Sequence, residues 1–81
     1  MKAKRSKRFL RQLSGLPVVV QKRFEKQLRF LLSNLRHPSL RTKKYDESQG
    51  IWQARVDGHY RFYFLIEEDI YALISITSHP D

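Results

Sequence analysis

The sequence contains no cysteine, so neither a disulfide nor a thiolate metal site reinforces the fold. That absence suits a reducing compartment, and a cytoplasmic location is the expectation. No apolar run approaches the roughly 20 residues that a bilayer span needs. The basic opening "MKAKRSKRFLRQL" is followed by no long apolar stretch and no small-residue cleavage site, so no signal peptide is read and no membrane partner is expected. Glycine-rich phosphate loops, metal-ligand spacings and a Ser/His/Asp order are also missing. No cofactor or metal is therefore expected. No repeat, low-complexity tract or linker interrupts the chain, and 1–81 reads as one domain. A chain of 81 residues buries roughly 60% of its unfolded surface, leaving marginal stability that a partner chain would raise.

Acidic residues are scarce where basic ones gather. Residues 1–44 carry 14 basic side chains and one acidic one; residues 45–81 carry two basic and seven acidic. The net charge of +8 is thus the remainder of a strongly basic first half and a mildly acidic second half. Such a field attracts polyanions: nucleic acid, an acidic protein or an anionic surface.

The first half reads as helix. In "SKRFLRQLS", Ser6 caps the N-terminus, Phe9 and Leu13 share a face, and Gly15 ends the run. Pro17 suits the first turn of a second helix. There Val20, Phe24, Leu28, Leu31 and Leu35 form one apolar stripe, with Lys22, Arg23, Lys26 and Arg29 mostly on the other side. "HPSL" closes it, because the residue before Pro38 is pushed out of the helical region. The expectation is a helical hairpin over about 6–36. The second half reads as sheet over about 43–79. Residues 51–57, 60–66 and 70–77 are rich in aromatic and branched side chains, separated by "DG" and "EED", with "TKKY" as a short lead-in. Helices segregated from a small antiparallel sheet of three to four strands make an α+β domain.

The stretch "WQARVDGHYRFYF" holds two arginines inside this sheet. A two-residue Asp57-Gly58 turn would set Ala54 opposite Arg61 and mix arginine into both faces. A three-residue Asp57-Gly58-His59 turn sets Arg55 opposite Arg61. It gathers Trp52, Ala54, Val56, Tyr60, Phe62, Phe64 and Ile66 on one face, and Gln53, Arg55, Arg61, Tyr63 and Leu65 on the other. Register follows the hydrophobic pattern when one face is buried, which selects the second arrangement. A three-residue "EED" turn would then bring Ile70, Ala72, Ile74 and Ile76 to the core face. Tyr71, Leu73, Ser75, Thr77 and His79 would join the open face. Like charges directly opposite on a sheet are unfavourable, so the Arg55–Arg61 pair points to a bound anion. The same register puts Phe62 and Phe64 in the core, away from base stacking, and leaves Tyr63 either to stack on a base or to stand as an exposed cross-strand aromatic.

From "FLRQLSGLP" through "HPSL" and the following "KK", then "WQARV", "YRF" with its arginine nine residues beyond the tryptophan, and the closing "ISITSHPD", the chain resembles the RelE/ParE superfamily of bacterial toxin–antitoxin toxins. The resemblance implies a compact α+β toxin wrapped by an antitoxin protein. For the RelE-like branch it also implies cleavage of messenger RNA in the ribosomal A site, so ribosome and messenger RNA are implied partners and a toxin–antitoxin hetero-oligomer the implied assembly. Carried over by position, the basic residues of the second strand fall on Gln53 and Arg55, the "YR" arginine on Arg61, the last-strand basic position on His79 and the lysines before the sheet on Lys43 and Lys44. Three departures stand out. Gln53 occupies a position where some members carry lysine. "MKAKRS" leaves almost no room for the usual N-terminal strand. The sequence stops at Asp81, ahead of the C-terminal helix or terminal tyrosine of some members.

Metal-free RNA cleavage uses the ribose 2′-hydroxyl as nucleophile on the adjacent phosphate. Arginine suits the charge that builds on the phosphorane, which assigns that role to Arg55 and Arg61. Histidine changes charge near neutral pH, which makes His79 the acid–base candidate; His37 and His59 read as helix-end and turn residues. Lys43, Lys44, Gln53 and Tyr63 would line the RNA, and Lys22, Lys26 and Arg29 on the second helix would anchor ribosomal RNA. The expected activity is a ribosome-dependent, metal-independent endoribonuclease. Its rivals are a ParE-like poison of DNA gyrase acting by protein contact, and an inactive protein of the same fold. Arg55, Arg61 and His79 favour the nuclease; Gln53 and the short C-terminus favour the rivals.

Overall fold

The computed structural model describes residues 1–79. Its elements run β1 (Lys2–Arg5), α1 (Lys7–Ser14), α2 (Val18–Ser33), a 3-10 turn (Pro38–Leu40), β2 (Lys43–Asp46), β3 (Ile51–Arg55), β4 (Tyr60–Glu67) and β5 (Ile70–Ser78). Both helices lie on one face of a five-stranded sheet ordered β1-β5-β4-β3-β2. The fold is α+β as expected. The sheet has five strands rather than three or four and is mixed, because β1 runs parallel to β5.

The N-terminal strand is the first correction. "KAKR" has no strand-like pattern, yet it pairs with the β5 edge from Lys2 opposite Ile70 to Arg5 opposite Leu73. Backbone pairing sets this conformation, not side-chain propensity. Lys2 and Lys4 point to solvent and guard the sheet edge. Arg5 points under the sheet, where its guanidinium makes a two-pronged pair with Glu25 at 2.6 and 2.9 Å and lies 5.3 Å from the Phe24 ring centroid. The one acidic residue of the first 44 is thus used to pin β1 to α2.

Ser6 ends β1 and starts α1. Its backbone N–H donates to the Leu73 carbonyl, its Oγ accepts from the Phe9 N–H at 3.0 Å, and its hydroxyl donates to the Ile74 carbonyl. In α2, Val20, Phe24, Leu28 and Leu31 are buried as their spacing requires. Leu35 lies beyond the helix, because Asn34 is extended and its side chain accepts from the Arg36 N–H instead. It still packs against the core. Phe9, Phe24 and Phe62 form a run of tilted and edge-on rings with centroids 5.1 and 5.2 Å apart. Each buried ring contributes about 1.5–3 kcal/mol of hydrophobic stabilisation.

The β3–β4 register is the one that the alternation selects. Arg55 pairs with Arg61, Gln53 with Tyr63, Ala54 with Phe62 and Trp52 with Phe64. The β4–β5 register corrects the expectation. Glu67 pairs with Ile70, so the turn is two residues long, with Glu68 at φ 54. A two-residue turn reverses which side chains face the core, and Tyr71 and Leu73 are buried there while Ala72 and Ile74 are not. A β-bulge then shifts the register between Tyr63 and Phe64, so that Ser75 pairs with Tyr63 and Ile76 with Phe62. The extra residue restores the expected arrangement from Ser75 onward. Tyr71 and Leu73 are therefore core, not open face.

Leu40, in the 3-10 turn, is fully buried and anchors the loop between α2 and β2. Leu40→Ala should destabilise the fold by roughly 2–5 kcal/mol, as other buried leucine truncations do, measured by urea unfolding at equilibrium. A loss below about 0.5 kcal/mol, the range of surface substitutions, would show that this loop is not anchored through Leu40.

Candidate functional site

The open face of the sheet carries a cavity of about 250 Å³ lined by Arg41, Lys43, Gln53, Arg55, Arg61 and His79. Strand alternation brings these side chains together. Arg55 and Arg61 are cross-strand partners, and Lys43 pairs with Gln53. The backbone N–H of His79 donates to the His59 carbonyl at 2.6 Å, which ties the end of β5 to the β3–β4 turn. Among the described residues no carboxylate lines the cavity.

Each arginine is held differently. The Arg61 Nη1 donates to the Asp57 carbonyl at 2.6 Å and the Tyr60 carbonyl at 3.0 Å, fixing its guanidinium to the turn. Arg55 is less well satisfied: its Nε is out of contact with solvent and has no hydrogen-bond partner. Burial, together with the charges of Arg41 and Arg61, pulls its proton affinity below that of an ordinary arginine. A guanidinium short of acceptors among like charges is suited to holding an anion.

Of the residues expected at the site, Lys43, Gln53, Arg55, Arg61 and His79 meet there. Lys44 does not. Regular alternation from the Lys43–Gln53 pair sets Lys44 opposite Trp52 on the core side, and its Nζ lies 5.6 Å from the Trp52 ring centroid. Tyr45, between Lys44 and Asp46 where the register shifts, lies edge-on to Tyr63 at 4.9 Å. Tyr63 sits beside the basic cavity, not in it. It lines a second groove of about 310 Å³ with Arg8, Tyr45, Ile51, Ile74 and neighbouring β5 hydroxyls. Gln53 joins the two, since its Nε2 donates to the Tyr63 hydroxyl at 3.1 Å. Lys22, Lys26 and Arg29 are exposed on α2, on the helical side of the sheet, and do not line the cavity.

Two residues at the site escape sequence reasoning. Arg41 lines the cavity from the left-handed position that ends the 3-10 turn, and nothing in "PSLRT" marks that conformation. Gln27 is almost fully buried in α2. Its Nε2 donates to the Arg55 carbonyl at 2.9 Å and to the Ser39 carbonyl at 3.2 Å, and its Oε1 accepts from the Ser39 hydroxyl. It locks the end of β3 to the turn that carries Arg41. The signal was present: Gln27 falls among Phe24, Leu28 and Leu31, a polar residue within an apolar stripe, and a buried amide there requires partners.

No protein-family model matches the sequence, and no curated protein matches it. Solved structures do match by shape. A YoeB/ParE toxin from Agrobacterium tumefaciens superposes with a TM-score of 0.81 at 12% identity, over 99% of this chain and 100% of that one. A RelB–RelE antitoxin–toxin complex from Methanococcus jannaschii gives 0.76 at 20% identity, over 91% and 87%. The intact RelBE toxin–antitoxin complex of E. coli gives 0.73 at 15% identity, over 98% and 96%. The chain therefore has the fold of the RelE/ParE and YoeB toxins.

Asp57 organises the turn behind the site. Its Oδ1 accepts from the His59 and Tyr60 N–H groups at 2.8 and 3.0 Å, and its Oδ2 pairs with Arg23 at 3.0 Å. Burial raises its proton affinity, but the hydrogen bonds from His59, Arg23 and Tyr60 and the Arg23 charge outweigh this and hold the carboxyl below its ordinary value of 3.8. A depressed pKa contributes stability that is complete above the unfolded value and lost as pH falls through the folded one. Asp57→Asn should therefore lower stability at neutral pH and flatten its fall below about pH 4, measured as melting temperature against pH. An unchanged acid limb would show that Asp57 does not titrate with folding.

Proposed function

We propose that this chain is the toxin of a type II toxin–antitoxin pair and that it cleaves messenger RNA in the ribosomal A site. The observation that carries this reading is a cavity holding Arg41, Lys43, Arg55, Arg61 and His79, with no carboxylate among the described residues that line it. That arrangement suits a phosphate diester flanked by a proton-transfer group. The matched fold is that of toxins, and two of the similar structures are complexes with an antitoxin, which supports an antitoxin partner for this chain.

In this mechanism the 2′-oxygen attacks phosphorus while its proton leaves to a base. The bond to the 5′-oxygen breaks, and that oxygen takes a proton from an acid. The products are a 2′,3′-cyclic phosphate and a 5′-hydroxyl. Arg55 and Arg61 stabilise the added charge on the phosphorane. Neither releases a proton at neutral pH, so His79 is assigned proton transfer, the task that imidazole suits. Gln53 positions rather than titrates. Lys43 adds charge at the rim, Tyr63 offers a face to an adjoining base, and the exposed Lys22, Lys26 and Arg29 on α2 meet ribosomal RNA.

A second reading, a gyrase poison acting by protein contact, draws on Gln53. A neutral, nearly buried residue bonded to Tyr63 stands where some RelE-like toxins carry lysine.

The test is ribosome-bound message incubated with purified protein and read by primer extension. Cleavage is expected. Arg61→Ala should slow it by about 10²-fold or more, and His79→Gln by about 10²-fold or more, with ribosome binding kept in both. Intact message together with stalled gyrase would replace the nuclease reading with the second one. Intact message and unaffected gyrase would leave an inactive protein of this fold.

Ribosome affinity should also fall steeply with salt, because each neutralised phosphate releases counterions. Replacing Lys22, Lys26 and Arg29 together by alanine should flatten that slope. A slope equal to wild type would make these three cations plain solvated surface.

A further inference from the structure

The backbone at Arg41 is left-handed, with φ 46 and ψ 49, at the C-terminal end of the 3-10 turn. Glycine is the ordinary solution at such a position, because a Cβ there crowds the following carbonyl. The conformation is over-determined by its surroundings. Leu40 is fully buried on one side. Thr42 Oγ1 donates to the Leu35 carbonyl at 3.0 Å on the other. Gln27 clamps Ser39 to the Arg55 carbonyl. Local strain of this kind persists only where the neighbouring structure enforces it, and it gathers at functional positions.

The side chain is no better placed for stability than the backbone. Arg41 is exposed, so it gains little packing. It lines a cavity with three other basic side chains, and it lies close enough to Arg55 to oppose that residue's charge. Among the described residues it takes part in neither of the two ion pairs.

We propose that Arg41 is a phosphate-binding residue of the open-face cavity, kept in a strained conformation because its guanidinium completes the anion site with Arg55 and Arg61. That the phosphate belongs to RNA rests on the reading above; the anion site does not.

The experiment is thermal unfolding in phosphate-free buffer, followed by titration with inorganic phosphate. Wild type should gain melting temperature with phosphate, as a ligand of the folded state requires. Arg41→Gly should melt higher than wild type without phosphate, by about 4 °C if relief of strain and repulsion is worth the usual increment. It should need about tenfold more phosphate for the same gain, as loss of one charged hydrogen-bond donor implies. Arg41→Asn, which also tolerates the left-handed region, should show the same loss of phosphate response if the glycine variant folds poorly. Lys7→Ala, which removes one charge from α1 outside the cavity, should keep the wild-type response. A wild type that ignores phosphate, or Arg41 variants that respond to it as wild type does, would overturn the proposal. A lower melting temperature in both variants would also overturn it, since Arg41 would then serve the fold. Message cleavage is scored separately, so a protein that binds phosphate through Arg41 but cuts nothing refutes the RNA reading alone.

Discussion

The three-residue turn at Asp57–His59 is the constraint on which the rest of the molecule depends. Successive side chains on a strand point to opposite faces, so a slip of one residue exchanges the faces completely. With Val56 N–H bonded to the Tyr60 carbonyl, Phe62 and Phe64 meet the helices, and Arg55 and Arg61 face outward. One residue shorter, and an arginine would lie under Phe24. Asp57 holds this choice from three sides: its carboxylate caps the turn, pairs with Arg23 of α2, and its own carbonyl receives Arg61. Fold and site are fixed by the same residue. The Arg23 pair is half exposed and adds little by itself; the backbone hydrogen bonds do most of the holding.

That register places like charges opposite each other, and the surrounding structure does not relieve them. The first half of the chain has one carboxylate, and Arg5 uses it on the helical side. Most acidic residues of the second half lie at its turns: Asp46 and Glu47 before β3, and Glu67, Glu68 and Asp69 between β4 and β5. None of them lines the cavity. The positive potential there is therefore uncompensated by the described residues. An acidic partner or a phosphate lowers that energy, and either one stabilises the folded state by binding to it.

How much of this was legible follows from what each element depends on. The helices and the β3–β4 hairpin depend on periodicity, and Phe9, Leu13, Val20, Phe24, Phe62 and Phe64 declared it. Strand β1 depends on an unpaired edge of β5, which "KAKR" does not reveal. The β4–β5 turn depends on Glu68 adopting a positive φ, a conformation that glycine would have advertised. The bulge after it then hid the error, because Ser75, Ile76 and Thr77 face as expected by either route. At the site, Arg55, Arg61 and His79 were legible because alternation and the end of β5 bring them together. Lys44 was misplaced because it directly follows Lys43 in β2, and successive side chains on a strand face opposite ways. Arg41 was missed because its backbone conformation is imposed by Leu40 and Gln27, residues distant from it in role and, for Gln27, in sequence.

Under the proposed reading, Gln53 gives the site its chemical division of labour. It is nearly buried between Lys43 and Tyr63, and a lysine there would be a further desolvated cation beside Arg55. Burial favours the neutral form of lysine, and that form is what a basic catalyst needs. Glutamine removes that option while sparing the cavity another charge. It also binds the Tyr63 hydroxyl, coupling the basic cavity to the tyrosine-lined groove. Under the proposed reading the cavity's arginines supply charge stabilisation only, because they stay protonated through the neutral range. Of the six lining residues that leaves Lys43, exposed and strongly hydrated, and His79. Proton transfer then falls to a single imidazole, on a residue whose backbone N–H is bonded to the His59 carbonyl. The turn that sets the register of the arginines therefore also sets the reach of the group that would move the proton.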